Sequence, residues 1–508
     1  MAAPEGQAHT SVTVQAVAER SEDEAAALLD PSSSGSGPGG APEKPPVDWV
    51  MTGLAFLFPA LGGLLFGYDI GATSGALVSI TSATTSGTDW YNLTSFQSGA
   101  VVSSSLLGAL LGSAAAFVVG DKLGRKRELL LAAVLYGAAA ILMYSAPSLA
   151  ILLAGRATYG VGIGFAMHAA PAYIAETSPA SARGLLISLK ELLIVAGILS
   201  GYLTSYLFVD DVGGWRNMYG LSLLPAIALS IGMAWLPDSP RWLLLSGAGR
   251  DRAAAALTRA RGKYGDDKAA VDAEISGMIR SAEESASQSG SMSLFQKRNL
   301  RPLSIGMSLM LFQQITGQPS VLYYAAKIFT DAGFSGGKDA TGVSVILGIV
   351  KFLMTGVAVL TVDSWGRRPL LLTGVTGMTL ALMALGGSQF ASLGGLATWV
   401  SLIALLVYVG CYQVSFGPIS WLMVGEVFPL AVRGQASALA TLTNFGSNFG
   451  VSLVLPSVQE NFGIANTYLA FAVISLVALG TIYAIVPETK GKTLEEIEAL
   501  WSEEDKGE

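Results

Sequence analysis

The chain is poor in the residues that build disulfides, metal sites and charged surfaces. Its 508 residues include one cysteine, Cys411, and two histidines, which excludes an intramolecular disulfide and argues against a structural zinc site. Only 13% of the residues are charged, against about 25% in soluble domains. A phosphate-binding glycine loop, a metal-ligand cluster and a nucleophile triad are also missing from the sequence. We therefore expect neither an enzyme nor a soluble protein.

Long apolar runs divide the chain into two sets of six predicted transmembrane helices. A helix needs about 20 apolar residues to cross the hydrocarbon core of a bilayer. The 60 glycines suit close helix contacts in lipid. The sequence predicts an all-α membrane protein with these spans: 52–75, 96–119, 128–146, 149–172, 185–208, 217–236, 302–329, 341–362, 369–389, 397–424, 431–457 and 465–486.

Charge distribution predicts the domains and their orientation. The two six-helix halves are predicted at 50–237 and 301–487, joined by a charged, alanine-rich linker at 238–300. Basic residues concentrate in the linker and in the loops on its side, which the positive-inside rule places in the cytosol. We expect short helices in this linker and both chain ends in the cytosol. The ends are a disordered tail, 1–46, and a short tail, 488–508.

Three short motifs occur once in each half, as expected of a carrier built from two related halves around a central site. The motif pairs are Asp121-x-x-Gly124-Arg125 with Asp363-x-x-Gly366-Arg367, Glu176-x-x-Pro179-x-x-x-Arg183 with Glu426-x-x-Pro429-x-x-x-Arg433, and Pro237-Asp238-Ser239 with Pro487-Glu488-Thr489. The charged members lie at predicted cytosolic helix ends. We predict that they latch the two halves when the cytosolic side is closed. The alternative is that these charges only set the topology.

Further motifs resemble those of the sugar porters of the major facilitator superfamily. In chain order they are Gly67-Tyr68-Asp69, Gly155-Arg156, Pro171-x-x-x-x-Glu176, Gln313-Gln314-x-x-Gly317, Tyr323-Tyr324 and Gly417-Pro418-x-x-Trp421. The resemblance covers about residues 50–495 and is strongest to the plant and algal xylose-proton symporter-like and vacuolar glucose transporters. It implies the 12-helix major facilitator fold. It also implies proton-coupled symport of a hexose or pentose by alternating access.

Asp69, in the middle of the first span, is the residue predicted to bind the proton. An ionised carboxylate at that depth costs several kcal/mol unless it is paired or protonated. Arg156, inside the fourth span, is its predicted partner, and the resemblance implies that this pair couples proton to sugar. A fixed structural pair is the alternative, and a facilitative uniporter would also keep it. A sensor that binds sugar without transporting it is a less favoured third reading.

Amide, hydroxyl and indole groups suit a sugar, because each sugar hydroxyl both donates and accepts hydrogen bonds. The resemblance assigns sugar contacts to Gln313, Gln314, Trp421 and Asn444. Gly317 and Pro319 predict a broken helix beside the two glutamines, the kind of place where carriers bind ligands. Aromatic residues that gate or line the site, or else only pack between helices, are Phe66, Tyr323 and Tyr324.

Glu191 and Pro319 depart from the family pattern. Glu191 stands where the family often has Gln, and we predict that it contacts the sugar; pairing with Lys190 or Lys351 is the alternative. Pro319 replaces a usual Asn and removes a polar contact. The residue His168 is interpreted as a packed or pore-lining side chain rather than a proton relay.

Two short signals concern processing and location. The sequon at Asn92 lies in the first non-cytosolic loop and is a predicted glycosylation site. Glu24, Leu28 and Leu29 resemble an acidic dileucine sorting signal, read by an adaptor, which favours the vacuolar membrane; the plasma membrane and plastid envelope are alternatives. The alternative is that Glu24, Leu28 and Leu29 belong to an unstructured spacer and are not a signal. We expect a monomer in the lipid bilayer, with a monosaccharide and protons as substrates and no nucleic acid, cofactor or metal.

Overall fold

The computed structural model describes residues 47–289, 294–331, 336–390, 396–429, 432–492, 496–498 and 501. Every regular element within these ranges is a helix. The sorting signal predicted at Glu24, Leu28 and Leu29 lies outside them, as does the rest of the N-terminal tail.

The first half contains the six predicted spans, the sixth of which is divided into two helices at Leu221-Ser222. In chain order its helices are α1 (Trp49–Thr81), α2 (Ser95–Leu123), α3 (Arg125–Tyr144), α4 (Leu149–Thr177), α5 (Ala180–Phe208), α6 (Gly214–Gly220) and α7 (Leu223–Trp235). Asn92 of the sequon is exposed, and Thr94 of the same motif caps α2 by accepting a hydrogen bond from the backbone N–H of Gln97.

Short helices form the linker, as predicted: α8 (Pro240–Leu245), α9 (Arg250–Arg261) and α10 (Lys268–Ser289). They pack on the end of the first half that holds Arg125. The indole N–H of Trp242 donates to the carbonyl of Asp121, and Asp48, which caps α1, accepts a hydrogen bond from the backbone N–H of Lys263. The linker therefore contacts both α1 and α2.

The second half contains two spans that are interrupted by helix breaks. Its helices are α11 (Lys297–Ile315), α12 (Gln318–Tyr323), α13 (Ala325–Asp331), α14 (Gly337–Trp365), α15 (Arg367–Phe390), α16 (Leu396–Val414), α17 (Phe416–Val427), α18 (Arg433–Phe462) and α19 (Ile464–Ile485). In the described part of the chain, eleven helical stretches are long and apolar enough to cross a membrane. The predicted seventh span, 302–329, makes the twelfth crossing as α11, α12 and α13, and it breaks at Thr316-Gly317, where Gly317 and Pro319 predict a broken helix.

Glycines bring helices of the first half into backbone contact. A Cβ added to Gly67 of α1 would lie 1.9 Å from the carbonyl oxygen of Ile194 in α5. A Cβ on Gly160 of α4 would lie 1.9 Å from the carbonyl oxygen of Ser105 in α2. Small residues permit this approach in helices surrounded by lipid. The result is close packing of α1 on α5 and of α2 on α4.

The two halves contact each other mainly away from the end that carries Arg125, Arg367 and the linker, which we call the basic end. The hydroxyl of Tyr202 in α5 donates to the carbonyl of Leu322 (2.8 Å), and the N–H of Ala326 in α13 donates to Ser74 of α1 (3.0 Å). Both contacts lie toward the opposite end of the bundle, where α5 and α1 finish.

Candidate functional site

Asp69 of α1 and Arg156 of α4 form a buried ion pair inside the first half. Nη1 of Arg156 lies 3.0 Å from Oδ1 of Asp69, and Nη2 lies 3.3 Å from Oδ2. Only 2% of Asp69 and none of Arg156 is exposed. Two parallel hydrogen bonds between a guanidinium and a carboxylate form one of the strongest polar contacts in proteins. The predicted partners are thus brought together.

Two hydroxyl groups complete the surroundings of this pair. Ser105 of α2 donates to Oδ2 of Asp69 (2.9 Å) and accepts from Nη2 of Arg156 (2.9 Å). Thr73 accepts from Nη1 (2.8 Å), and the ring of Tyr219 lies 5.2 Å from the guanidinium carbon. Neither Ser105 nor Thr73 was predicted from the sequence. Thr73 alone carried a signal, because it follows Asp69 by one helical turn.

The break between α11 and α12 joins several predicted sugar contacts. α11 ends at Ile315, and Gly317 has a left-handed φ of +103°, which glycine adopts without strain. The side-chain N–H₂ of Gln313 donates to the carbonyls of Phe416 (2.7 Å) and Gly417 (3.2 Å). These two carbonyls belong to the first turn of α17, directly after the second break at Ser415. Gln313 therefore ties the two broken helices together.

Asn444 and Gln314 complete this network from either side of Gln313. The side-chain N–H₂ of Asn444 donates to Oε1 of Gln313 (2.5 Å), and that of Gln314 donates to the same oxygen (3.3 Å). Three of the four residues to which the resemblance assigns sugar contacts are thus in one hydrogen-bonded group. The fourth, Trp421, lies on α17 and is partly buried against an apolar cluster that includes Met310.

Several buried polar atoms beside the two breaks have no hydrogen-bond partner in the described part of the chain. They are Oε1 of Gln318, Oγ of Ser320, the hydroxyl of Tyr323, Nε2 of Gln413 and Oγ of Ser420. Buried polar groups are nearly always satisfied by protein, water or ligand. Water or a polar ligand would satisfy such atoms. Of these residues, only Tyr323 was predicted from the sequence to line the site.

The other two aromatic residues differ in their contacts. Phe66 of α1 packs edge to face on Phe445 of α18, with ring centroids 6.0 Å apart, and so contacts the opposite half. This position suits a gate. Tyr324 is buried, and its hydroxyl donates to the carbonyl of Ser452 (2.9 Å), which suits the packing alternative.

The repeated motifs form matching clusters at the basic end of each half. In the first half, Arg125 binds Asp121 (2.9 Å) and lies 3.5 Å from Glu176, whose other oxygen accepts from Ser239 (2.5 Å). All four residues belong to this half or to the start of the linker. The cluster therefore connects helix ends within the first half and does not involve the second half.

In the second half the corresponding residues repeat this arrangement. Arg367 binds Asp363 (3.2 Å) and Glu426 (2.9 Å), and Glu426 accepts from Thr489 (2.6 Å). Ser239 and Thr489, from the third motif, thus have equivalent contacts. Each of these ion pairs lies within one half, so the latch between halves stays a prediction.

The ion pairs described for these two clusters do not include the arginines that end the Glu-to-Arg motifs. Arg433 donates to the carbonyl of Phe428 through Nε (3.1 Å) and Nη2 (3.0 Å). Arg183 is exposed near the start of α5. Their role in the predicted latch also stays a prediction.

His168 is packed, as interpreted, but it has a charged neighbour that the sequence analysis missed. Its Nδ1 lies 2.6 Å from Oε1 of Glu128, which is fully buried at the start of α3. The ring of Phe117 packs on the imidazole, with centroids 4.9 Å apart. The residues Glu128 and His168 are 40 positions apart, so no local pattern connected them.

Glu488 binds the first turn of α15. Its two carboxylate oxygens accept from the backbone N–H groups of Arg367 and Arg368, both at 3.0 Å, and Lys490 N–H also donates to it (2.8 Å). Burial raises the pKa of Glu488, but these three donors outweigh burial and hold the pKa below its ordinary value of 4.5. Gly366 makes room, because a Cβ there would lie 2.7 Å from the carboxylate.

Glu488→Gln is therefore expected to destabilise the protein more at neutral pH than below pH 4.5. A depressed pKa adds stability above the unfolded value, about 4.5, and this stability is lost as pH falls through the folded pKa. We expect a loss of about 1 kcal/mol at pH 7, typical of a helix cap, and a smaller difference below pH 4.5. Thermal unfolding of both proteins across pH measures it, with the exposed Glu460→Gln as control. An equal difference at every pH would contradict the linkage.

Two related halves, an ion pair buried at membrane depth and broken helices with unsatisfied polar atoms together define a membrane carrier. The chain matches the family model described as "Sugar (and other) transporter" over residues 55–501. It belongs to this family of the major facilitator superfamily, whose members are transporters and not enzymes.

Relatives of known name and structure agree with this assignment. The "D-xylose-proton symporter-like 3, chloroplastic" of Arabidopsis thaliana is 53% identical over 90% of this chain and 84% of its own length. The "D-xylose transporter" of Levilactobacillus brevis is 37% identical over 89% of this chain and 96% of its own. The inward-open structure of the xylose transporter XylE from E. coli is 29% identical, with a TM-score of 0.74, and covers 88% of this chain and 99% of that one.

Proposed function

We propose that this chain carries a monosaccharide and a proton together across a membrane by alternating access. The observation that carries the proposal is the ion pair of Asp69 and Arg156, buried inside a sugar transporter. An ionisable residue at membrane depth indicates a functional site by default. The names of the relatives, xylose-proton symporters among them, support proton coupling.

Protonation of Asp69 is the proposed switch. A proton removes the charge that holds Arg156, while Thr73 still binds the guanidinium. The loss weakens the contact between α1 and α4. Ser74, one residue past Thr73, accepts a hydrogen bond from the backbone N–H of Ala326, just beyond the broken helix. A shift of α1 would therefore also move the residues beside the sugar site. Proton binding and sugar binding would then favour the same state of the carrier.

The sugar would bind where the two helix breaks meet. Gln313, Gln314 and Asn444 supply amide groups there, and Trp421 offers an aromatic face to the C–H side of a sugar ring. The unsatisfied atoms of Gln318 and its neighbours supply further hydrogen bonds. A ligand that displaces Gln313 from the carbonyls of α17 would also loosen the tie between the two breaks.

Purified protein in liposomes tests the proposal. Internal pH is followed after hexoses, pentoses and polyols are added outside. Sugar-dependent entry of protons is the expected result, and it also names the substrate. Labelled sugar that equilibrates without proton movement would mean a uniporter, with Asp69 in a fixed ion pair. Binding with no flux of any sugar would mean a sensor.

Gln313→Ala and Trp421→Ala are expected to weaken sugar binding by about 10-fold or more each. The first removes hydrogen bonds inside a buried site, and the second removes a stacking surface. The apparent KM for uptake measures the change. Matched controls are Gln296→Ala, exposed just before α11, and Trp399→Ala, which is 60% exposed on α16. Unchanged KM in both site variants would contradict the assignment of the site.

We also propose that the vacuolar membrane holds this carrier, with an adaptor that reads Glu24, Leu28 and Leu29. An acidic lumen would then drive sugar toward the cytosol. The chloroplastic relative makes the plastid envelope the main alternative, ahead of the plasma membrane. A fluorescent fusion of the full chain locates it, and replacing both leucines with alanine should redirect it. An unchanged location would show that these residues are not a sorting signal. The proposed monomer is checked by its mass in detergent.

A further inference from the structure

Glu128 and His168 form a buried pair of an acid and an imidazole that the proposed sugar and proton steps do not use. Nδ1 of His168 lies 2.6 Å from Oε1 of Glu128. The side chain of Glu128 is fully buried, whereas 19% of the His168 side chain is exposed. On α4, His168 follows Arg156 by 12 residues, which is about 18 Å along the helix axis. The pair is therefore separate from Asp69.

Three helices surround this pair. Glu128 is in the first turn of α3, and His168 is on α4. The helix α2 contributes Gly120, where an added Cβ would lie 2.8 Å from Cε1 of His168 and 3.0 Å from Oε2 of Glu128. It also contributes Phe117, whose ring centroid lies 4.9 Å from that of the imidazole. This distance is within the range of a cation–π contact, so the site accommodates a charged imidazole.

One oxygen of the Glu128 carboxylate is left without a partner. Oε2 is buried and accepts no hydrogen bond in the described part of the chain. A buried carboxylate needs a positive partner or a proton, and the imidazole of His168 is in place to supply either. Because Nδ1 faces the carboxylate, the neutral ring donates its Nδ1–H and keeps Nε2 for an additional proton. Uptake of that proton makes an imidazolium whose charge balances Glu128.

The other charged groups around the pair lie at the basic end. Arg125, in the same turn of α3 as Glu128, is affected by the charge of that carboxylate. Nε of Arg125 is buried and has no hydrogen-bond partner among the described residues, although Glu176 of α4 lies 3.5 Å away. Lys126 faces α7, where its Nζ donates to the carbonyl of Ala234 (3.0 Å). The remaining charged residues of this turn and of the end of α2 are exposed: Asp121, Lys122 and Arg127. A change in the charge of the pair therefore acts first on Arg125.

We propose that Glu128 and His168 form a second proton-binding site, through which the pH at the basic end changes the rate of sugar exchange. With His168 neutral, the buried charge of Glu128 attracts Arg125 in competition with Asp121 and Glu176. With His168 protonated, that charge is balanced, and Arg125 is left to the two acids of its cluster. One proton thus changes the contacts among the ends of α2, α3 and α4. The effect on exchange rests on the proposed function, whereas proton binding does not.

Nitrogen NMR of histidine tests proton binding directly. The chain has two histidines, so His9→Gln leaves His168 as the single one. The full chain with this change, labelled with ¹⁵N-histidine in liposomes, is followed from about pH 8 to about pH 5. We expect a neutral ring with its proton on Nδ1 at the upper end and an imidazolium at the lower end. A ring that keeps one state throughout, or a neutral ring with its proton on Nε2, would overturn the inference.

Glu128→Gln, combined with His9→Gln, should remove the preference for the proton on Nδ1. The glutamine amide is neutral and can present its N–H₂ group to the ring, so Nδ1 is no longer required to donate. Glu460→Gln, which changes an exposed glutamate of α18, is the matched control and should keep the spectrum of the parent. An unchanged spectrum in Glu128→Gln would contradict the role of the carboxylate.

Exchange of labelled for unlabelled sugar separates this site from Asp69. In Asp69→Asn, with equal pH on both sides of the liposome, the rate should still change about 5-fold or more between about pH 5.5 and pH 7.5. His168→Gln in the same background should reduce this change to less than about 2-fold. An undiminished change in the double variant would overturn the link to exchange. Absence of flux for every sugar would instead contradict the proposed function, and the NMR spectra would still decide whether the proton site exists.

Discussion

Asp69→Asn is expected to abolish accumulation of sugar against a concentration gradient. With one proton per sugar, an imposed difference of two pH units supports an accumulation of up to about 100-fold, because each unit is a factor of ten. The asparagine amide in this variant cannot take up or release a proton, so the ratio should fall to one. Uptake driven by a pH gradient across liposomes, measured to equilibrium, gives this ratio directly.

The same variant is expected to retain exchange of labelled for unlabelled sugar. The amide oxygen of asparagine can still accept from Nη1 of Arg156, and Thr73 and Ser105 hold the guanidinium as before. Removal of one charge from a buried pair nevertheless costs about 3–5 kcal/mol, so a thermal unfolding curve must accompany the assay. Exchange shows that the variant is folded. Accumulation above unity in Asp69→Asn would show that another group carries the proton.

Ser105→Ala tests whether the surroundings of Asp69, rather than its carboxylate, are needed for proton coupling. This change removes the hydroxyl that bridges Asp69 and Arg156 but leaves the carboxylate able to bind a proton. Accumulation should therefore persist with a changed dependence on pH. The comparison distinguishes a proton-binding residue from one that only positions it.

The sequence predicted the parts of the molecule that have a regular signal. Apolar runs of membrane length predicted the helices, and the repeated motifs predicted charged residues at the same helix ends of both halves. Arg125 and Arg367 bind equivalent acids within their own halves, an arrangement that the sequence did not predict. Asp69 and Arg156 were paired because two opposite charges at membrane depth require each other.

The residues that escaped prediction have no such pattern. The break at Ser415 precedes Gly417-Pro418 and does not coincide with a glycine, so periodicity carried the predicted span through it. Gln413 accepts a hydrogen bond from Lys351, which lies 62 residues earlier in the chain, so no local pattern connects the two residues. The contact of His168 with Glu128 likewise depends on how α3 packs against α4. Long-range packing, rather than local preference, decides these cases.

The proton site also depends on packing that a single methyl group would disturb. Gly67 lies two residues before Asp69, at the contact of α1 with α5. A Cβ there would lie 1.9 Å from the carbonyl oxygen of Ile194 and 2.9 Å from the backbone N of Ile198. Both are backbone atoms, so they cannot turn aside as a flexible side chain would. The helices would have to separate, and Asp69 would move with α1.

Gly67→Ala is expected to reduce stability by more than about 3 kcal/mol, beyond ordinary overpacking, and to abolish proton-coupled uptake. Gly53→Ala is the matched control, because Gly53 is on the same helix and a Cβ there meets nothing within 4 Å. That control should be unchanged or slightly more stable, since alanine favours a helix over glycine. The yield of monodisperse protein and the midpoint of thermal unfolding measure the difference. Equal stability of the two variants would mean that α1 and α5 are farther apart than their glycines indicate, and that the proton site tolerates movement of α1.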